Sequence, residues 1–154
     1  MSAHAEDDDR WAHWLGHLLW EVSARTSVLG EAALADSPLT LPSVGLLDQV
    51  ATQPGITIAE IARRMPKTQQ AVSQVAARLE RLGFIERRVA NGRSAALYIT
   101  DAGARARAEA NAIEQASEAR LESALGPDRY ERLRALLEEA REVVIELESE
   151  RRAT

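Results

Sequence analysis

Residues 68–100 read TQQAVSQVAARLERLGFIERRVANGRSAALYIT, and this stretch decides the fold. Its first half is typical of an amphipathic helix, because apolar residues recur at spacings of three, four and three: Val72, Val75, Leu79 and Leu82. These four residues share one face, which we expect to be buried. Thr68 is a suitable N-cap for a helix from Gln69 to about Leu82, and Gly83 is a suitable stop. In the second half, an Asn-Gly pair separates two short runs with β-branched or aromatic residues, which predicts a β-hairpin.

The length of the hairpin loop sets the register of the two strands. A two-residue loop would pair Ala90 with Arg93 and would place Glu86 on the same face as Leu97. A loop of residues 91–93 pairs Ala90 with Ser94 instead, and it separates an apolar face (Ile85, Val89, Ala95, Leu97, Ile99) from the other face (Glu86, Arg88, Ala96, Tyr98). Because a one-residue slip would move every side chain to the opposite face, the three-residue loop is predicted, with Arg93 at its tip.

The segment before residue 68 predicts a short helix that completes a helix-turn-helix. Thr57 is its N-cap, Glu60 completes a capping box, and Pro66 ends it. Its apolar side is formed by Ile58, Ile61 and Ala62. Two strands are only marginally stable alone, so the hairpin must rest on the helix-turn-helix, which makes the unit a winged helix.

Four further helices flank this unit. They are predicted at residues 10–35, from Thr40 to about residue 52, from Thr100 to about Leu125, and after the Gly126-Pro127 break. We therefore expect a mainly α protein with a small β-hairpin wing, divided into residues 1–36, 37–100 and 101–154 of one intertwined domain. The last two helices carry too few apolar residues to be buried within one chain, so we expect them to pack on another subunit.

The charge of the chain is distributed unevenly. The formal net charge is −5, yet residues 56–100 contain eight basic and three acidic residues, a net charge of +5. A local basic region within an acidic chain favours a surface for polyanions, although a solvated, salt-bridged face would give the same count. Cysteine is absent, which excludes disulfides and thiolate chemistry. The sequence has no signal peptide and no membrane-spanning run, so a cytoplasmic protein without membrane contact is expected.

The helix at 69–82 carries the residues suited to DNA. At about 100° per residue, the side opposite its apolar stripe carries Gln70, Ser73, Gln74, Ala77 and Arg81. This side has no acid, and the small Ala77 permits close approach to a groove. A glutamine amide matches the N7 and 6-amino groups of adenine, and Ser73 can bond a base edge or a phosphate. The alternative is an ordinary solvated face of an amphipathic helix.

Other side chains around this helix are suited to phosphates. Lys67, Thr68 and Gln69 stand at its N-terminus, where free N–H groups and the helix dipole attract anions. Arg78 and Arg81 lie further along and are better placed for the DNA backbone than for bases. On the wing, Arg88 lies on the stem, and Arg93 at the tip can enter a minor groove.

The stretches ITIAEIARRM, TQQAVSQVAARLERLGFIERR and NGRSAALYITDAG resemble the MarR family of bacterial transcription regulators. The order of helices matches over nearly the whole chain. This resemblance implies a homodimer in which the first and the last two helices interlock and two winged-helix lobes read a pseudo-palindromic operator on double-stranded DNA. Gln70, Ser73 and Gln74 match the family's base-reading face, and Arg93 matches its wing arginine. It also implies a repressor that a small, often aromatic, ligand can release.

The first helix carries two other candidate sites. His13, His17 and Glu21 follow one face at four-residue spacing and are weak candidates for a metal site, but a polar stripe is the favoured interpretation, so we expect no metal and no other cofactor. Trp11, Trp14 and His17 are candidates for one wall of an aromatic ligand pocket, for which core or dimer packing is the alternative interpretation.

The sequence thus predicts a DNA-binding regulator rather than an enzyme, because no nucleophile–base pair, glycine-rich phosphate loop or paired acids occur in a suitable context. Two alternatives stay open. One is a winged-helix dimer that binds another protein, and the other is a small-molecule or metal sensor without DNA function. The basic region and the acid-free helix face favour DNA over both.

Overall fold

The computed structural model describes residues 13–64, 67–90 and 94–153. Within these residues it contains six helices and one antiparallel hairpin, which confirms the predicted fold class and element order. The elements are α1 (Leu15–Ala33), α2 (Leu41–Thr52), α3 (Ile58–Arg64), α4 (Gln69–Arg81), β1 (Ile85–Ala90), β2 (Ser94–Ile99), α5 (Asp101–Leu125) and α6 (Pro127–Ala153).

The predicted capping box of α3 is present. The Thr57 backbone N–H donates to Glu60 Oε2 at 2.8 Å, and the Thr57 hydroxyl donates to the same oxygen at 2.7 Å. These hydrogen bonds favour the charged carboxylate and lower the pKa of Glu60. The box fixes the start of the helix-turn-helix by satisfying N–H groups that have no partner inside the helix.

The bounds of α4 agree with the prediction, but its buried face is rotated. Val72 and Leu79 are buried and Val75 is half-buried, as expected, whereas Leu82 is 40% exposed and Ala76 is fully buried. The buried face is centred between Leu79 and Ala76, so Leu82 falls near its edge at about 100° per residue. The prediction for Leu82 was therefore wrong, and Ala76 was missed because alanine gives a weak apolar signal.

The hairpin has the predicted three-residue register, with Ile85 opposite Ile99 and Ala90 opposite Ser94. The connecting residues 91–93, including the predicted tip residue Arg93, lie outside the described residues. Two side chains differ from their predicted environment. Val89 is 86% exposed because the end of the hairpin extends beyond the helices that cover its base, and Ala96 is only 3% exposed.

Ala96 is covered because β2 has a second neighbour. The Gly55 N–H donates to Leu97 O at 2.9 Å, and the Leu97 N–H donates to Ile56 O at 3.0 Å. A bridge between Thr57 and Ala96 extends this pairing. The segment before α3 thus joins the wing to the helix-turn-helix, and this pairing was not predicted from the sequence.

The start of α5 is fixed against the end of α4. The Thr100 hydroxyl donates to Gly83 O at 2.7 Å and accepts from the Gly103 N–H at 3.0 Å. A Cβ atom on Gly103 would lie 2.0 Å from Phe84 O, so only glycine permits this approach. The helix therefore begins in tight contact with the turn between α4 and β1.

The buried core lies mainly within residues 41–99, which we call the winged-helix lobe. Its members come from α2, α3, α4, both strands and nearby segments: Leu34, Leu39, Val44, Leu46, Leu47, Val50, Ile56, Ile61, Val72, Ala76, Leu79, Ile85, Leu97 and Ala110. Helix α1 contributes no buried residue; Trp14 at its N-cap is 69% exposed and Leu29 is 68% exposed. In α6, the exposed apolar residues are Leu133, Leu136, Leu137, Val143, Val144, Ile145 and Leu147.

The chain forms two compact units, residues 1–114 and residues 115–154, and the division falls within α5. The three-part division expected from the sequence, at residues 36 and 100, stays a prediction. Within the described residues, none of the helices combines the length and apolarity needed to span a bilayer.

Candidate nucleic-acid interface

The exposed side of α4 carries the five residues predicted for it, and we call them the reading face. Gln70, Gln74 and Arg81 are exposed, while the smaller Ser73 and Ala77 are half-buried. None of the five is acidic, and the two small side chains lie between longer ones that can donate or accept hydrogen bonds. This arrangement offers amide and hydroxyl groups to base edges without repelling phosphate.

The N-terminus of α4 presents donors that the helix does not use. The Thr68 hydroxyl oxygen accepts from the Ala71 N–H at 3.2 Å, which leaves the hydroxyl proton free to donate outward. Among the described residues, no acceptor contacts the backbone N–H groups of Gln69 and Gln70. Lys67 is exposed immediately before the cap. Together with the helix dipole, these groups form a surface suited to a phosphate.

The two arginines in the second half of α4 differ in their contacts. Arg78 donates from Nη2 to the backbone oxygen of Pro38 at 3.1 Å, so its side chain lies against the segment between α1 and α2. Arg81 is exposed and makes no hydrogen bond or ion pair within the described part of the chain. From sequence periodicity, both arginines were predicted to contact the DNA backbone. In the described part of the structure, only Arg78 makes a hydrogen bond within the protein.

The stem of the wing is held by arginines on both faces. Arg87 pairs with Glu80 of α4 at 2.9 Å, which ties β1 to the helix. On the other face, Arg88 pairs with Glu86, and its guanidinium lies 4.4 Å from the centre of the Tyr98 ring. Arg88, predicted as a DNA contact, is thus engaged within the hairpin.

Comparison with known proteins agrees with this architecture. A family model described as the MarR family matches residues 37–94. The HTH-type transcriptional repressor Rv2887 of Mycobacterium tuberculosis is 33% identical over 126 residues, which cover 80% of this chain and 91% of that protein. The chain belongs to the MarR family. The predicted family is confirmed, and with it the class of transcription regulators.

Solved structures of the same relative extend the match to the MarR-family fold. The structure of Rv2887 in complex with DNA is 30% identical and covers 82% of this chain and 97% of that chain, with a TM-score of 0.69. The structure of Rv2887 with salicylic acid is 32% identical and covers 82% of this chain and 96% of that chain, also with a TM-score of 0.69.

Two of the candidate metal residues of this MarR-family chain, His17 and Glu21, lie on α1 and have other contacts, while His13 precedes that helix. Glu21 accepts from Arg25 at 2.7 Å, and these hydrogen bonds lower the pKa of Glu21. The ring of His17 lies 5.6 Å from that of Trp20. Among the described residues, His13, His17 and Glu21 do not form a group that could hold a metal ion, nor does any other set of acids and histidines.

Of the candidate ligand residues, Trp14 is exposed at the N-cap of α1, His17 lies on the first turn of that helix, and Trp11 lies outside the described residues. Their predicted part in a ligand pocket stays a prediction.

Sequence reasoning missed a polar cluster between α2 and α5. Asp48 pairs with Arg107, and the burial of Glu114, aided by the charge of Asp48, raises the pKa of Glu114. The Oδ1 atom of Asn111 is buried and has no hydrogen-bond partner among the described residues. Because 59 residues separate Asp48 from Arg107, no local pattern in the sequence could have predicted this cluster.

Proposed function

We propose that this protein is a homodimeric repressor that binds a pseudo-palindromic operator through the reading face of α4. The observation that carries the proposal is the acid-free, exposed reading face, which follows a capped helix start with unused donors. A helix in this position can enter the major groove, where every base pair presents a distinct pattern of donors and acceptors.

Within this face we assign base reading to Gln70, Ser73 and Gln74. Both glutamines are exposed and can form paired hydrogen bonds with adenine, while Ser73 lies deeper and reaches a base edge or a phosphate. Lys67, Thr68, Gln69 and Arg81 surround them and are assigned to phosphates. The wing arginine Arg93 is assigned to the adjacent minor groove on the sequence pattern.

The dimer is supported by apolar surface that one chain leaves uncovered. Exposed tryptophan, leucine and valine side chains follow α1, and exposed leucine, valine and isoleucine follow α6. Exposed apolar side chains in this number are typical of an interface between subunits. Two lobes joined in this way would present their α4 helices to successive major grooves, about 34 Å apart.

We also propose that a small aromatic ligand releases the repressor from DNA. Support comes from the relative Rv2887, which has been solved with salicylic acid as well as with DNA. Trp11, Trp14 and His17 are the residues of this chain that we assign to such a ligand. A ligand that binds one spacing of the lobes more tightly than the other would shift the dimer away from its DNA-binding geometry. We propose no catalytic activity, and we place the protein in the cytoplasm.

A fluorescence anisotropy titration tests the proposal. The DNA is the duplex upstream of the protein's own gene, compared with a shuffled duplex of the same composition. We expect tight binding to the first, with affinity falling steeply as salt increases, and weaker binding to the second. Equal, weak binding to both duplexes would contradict the proposal and favour a winged-helix dimer that binds another protein.

A matched pair of variants locates the reading surface. Gln74→Ala removes one amide from the reading face and should cost about tenfold in affinity for the operator while leaving the shuffled duplex unaffected. Gln115→Ala removes an exposed glutamine from α5 and should change neither. Equal losses from both variants, or a loss on both duplexes, would show that α4 does not read bases.

A further inference from the structure

Arg78 is the basic residue of α4 whose side chain turns away from the reading face. At about 100° per residue, it lies roughly 80° from Gln70, on the flank between the reading face and the half-buried Val75. From this flank its Nη2 atom donates to Pro38 O at 3.1 Å, across 40 residues of sequence. The contact therefore joins the second half of α4 to the segment that connects α1 with α2.

The acceptor belongs to a segment with a fixed position. Leu34 and Leu39, on either side of it, are both 2% exposed and belong to the buried core. The Leu39 N–H donates to Ser37 Oγ at 3.2 Å, which folds the chain around Pro38. Among the described residues, Arg78 is the one donor to the Pro38 carbonyl, and a charged donor makes such a bond stronger than a neutral one would.

This geometry gives Arg78 a role different from that of a phosphate contact. The segment it holds leads directly from α1, the helix whose apolar side chains are exposed in a single chain. We propose that Arg78 is a positioning residue, which fixes α4 against the segment between α1 and α2 and so sets the angle at which the reading face meets DNA. The inference rests on the proposed DNA-binding function.

Arg81 provides the matched control on the same helix. It lies three residues further along, within about 20° of Gln70, and it makes no hydrogen bond or ion pair in the described part of the chain. A residue that neutralises a phosphate releases a counterion, so its removal makes the dependence of affinity on salt shallower. The slope of log affinity against log salt should change by about 0.9 for each contact, or about 1.8 for a dimer that loses two.

The experiment compares full-length wild type, Arg78→Gln and Arg81→Gln in titrations of the operator duplex at several salt concentrations. We expect Arg81→Gln to reduce the slope by about 1.8. Arg78→Gln should weaken binding about tenfold at every salt concentration and leave the slope as in the wild type. The reason is that this variant loses the alignment of α4 and not a contact with a DNA phosphate. Thermal unfolding of each variant confirms that the compared proteins are folded.

Three results would overturn the inference. A slope reduced as much as in Arg81→Gln would make Arg78 a phosphate contact. A lower melting temperature with unchanged affinity would make its bond to Pro38 merely stabilising. If the wild type shows no salt-dependent binding while remaining folded, the proposed function fails, and the positioning role fails with it; the first two results leave the proposed function intact.

Discussion

The winged-helix lobe and the two helices α1 and α6 use their apolar residues in opposite ways. In the lobe, α2 alone buries Val44, Leu46, Leu47 and Val50, and the strands bury Ile85 and Leu97. In α1 no residue is buried, and the leucines and valines of α6 are about half exposed. The lobe therefore completes its core within one chain, whereas α1 and α6 carry apolar residues that only another surface can cover.

The comparison separates what stabilises the lobe from what positions it. Caps, buried leucines and the pairing of β2 with residues 55–57 hold the lobe together without a partner. The apolar area that α1 and α6 leave exposed would be buried only when a second chain is present. Changes in the lobe should thus act on stability at any protein concentration, and changes in α6 should act through assembly.

The largest effect is expected in the core of the lobe. Leu47 is fully buried, so Leu47→Ala should lower the free energy of unfolding by about 2–5 kcal/mol, through lost burial and the cavity that remains. Chemical denaturation at two protein concentrations measures it. Leu29→Ala on α1, where the side chain is 68% exposed, is the control. If Leu29→Ala lowered the free energy of unfolding more than Leu47→Ala does at the lower protein concentration, the proposed division between the two regions would be wrong.

A second prediction concerns assembly through α6. Leu137→Ala should destabilise the dimer by about 2 kcal/mol per chain, because each copy loses an apolar side chain that the partner would cover. Sedimentation equilibrium at several concentrations measures the dissociation constant. Glu139→Ala, an exposed neighbour, should leave it unchanged. A dissociation constant that responds to neither substitution would remove α6 from the interface.

Gly103→Ala should destabilise the lobe by about 1–3 kcal/mol, because its Cβ atom would meet Phe84 O. Helix propensity alone would make this change stabilising by about 1 kcal/mol. The sign of the measured change in stability therefore shows whether the contact with Phe84 O outweighs propensity. The exposed neighbour provides the control: Ala104→Gly should cost only about 1 kcal/mol, from propensity. A stabilised Gly103→Ala protein in thermal denaturation would show that α5 does not approach the α4–β1 turn this closely.

The dependence of stability on pH should contain two contributions of opposite sign. The pKa of Glu60 is lowered by Thr57, so its contribution is present above the ordinary value and is lost as pH falls through the lowered pKa. Burial raises the pKa of Glu114, so its ionisation costs stability as pH rises above the ordinary value. Denaturation from pH 3 to pH 7 (about the range in which carboxyl groups titrate) measures both.

In that experiment, Glu60→Gln should flatten the acid loss of stability, and Glu114→Gln should raise stability at neutral pH. If Glu114→Gln destabilised the protein at pH 7, the carboxylate would have a partner that offsets its burial. If Glu60→Gln left the loss of stability at acidic pH unchanged, the capping box would not contribute to that loss.

The smallest effect is expected where the wing meets α4. The pair of Arg87 and Glu80 is partly exposed, with 31% and 41% of the two side chains accessible, so its coupling energy should be only about 0.2–1 kcal/mol. A double-mutant cycle with Arg87→Gln and Glu80→Gln measures this energy, and 1 M salt should reduce it. A coupling well above this range would mean that the pair, rather than the backbone pairing of β2, anchors the wing.

Local pattern was sufficient for the parts of the fold that local chemistry decides. The alternation of apolar residues predicted the pairing of Ala90 with Ser94, and the Thr57–Glu60 spacing predicted the capping box. In α4, the position of Thr68 and Gly83 predicted both helix ends. Each of these features depends on residues within about fifteen positions of one another.

Contacts between distant segments could not be predicted in the same way. The pairing of residues 55–57 with β2, the bond of Arg78 to Pro38 and the ion pair of Asp48 with Arg107 all depend on how the helices pack. Periodicity places Arg78 and Arg88 on exposed surfaces. It does not show that the Arg78 guanidinium donates to a backbone oxygen of the protein, or that the Arg88 guanidinium lies over an aromatic ring. The reading face was predictable because it needs only one helix.

The central claim is that two lobes, each complete in itself, bind one operator because a second chain covers α1 and α6. The most direct test is the mass of the complex between the full-length protein and its operator duplex, measured by sedimentation equilibrium. We predict two chains on each duplex, together with a dimer in the absence of DNA. One chain on each duplex at saturating protein, with a monomer in free solution, would contradict the claim.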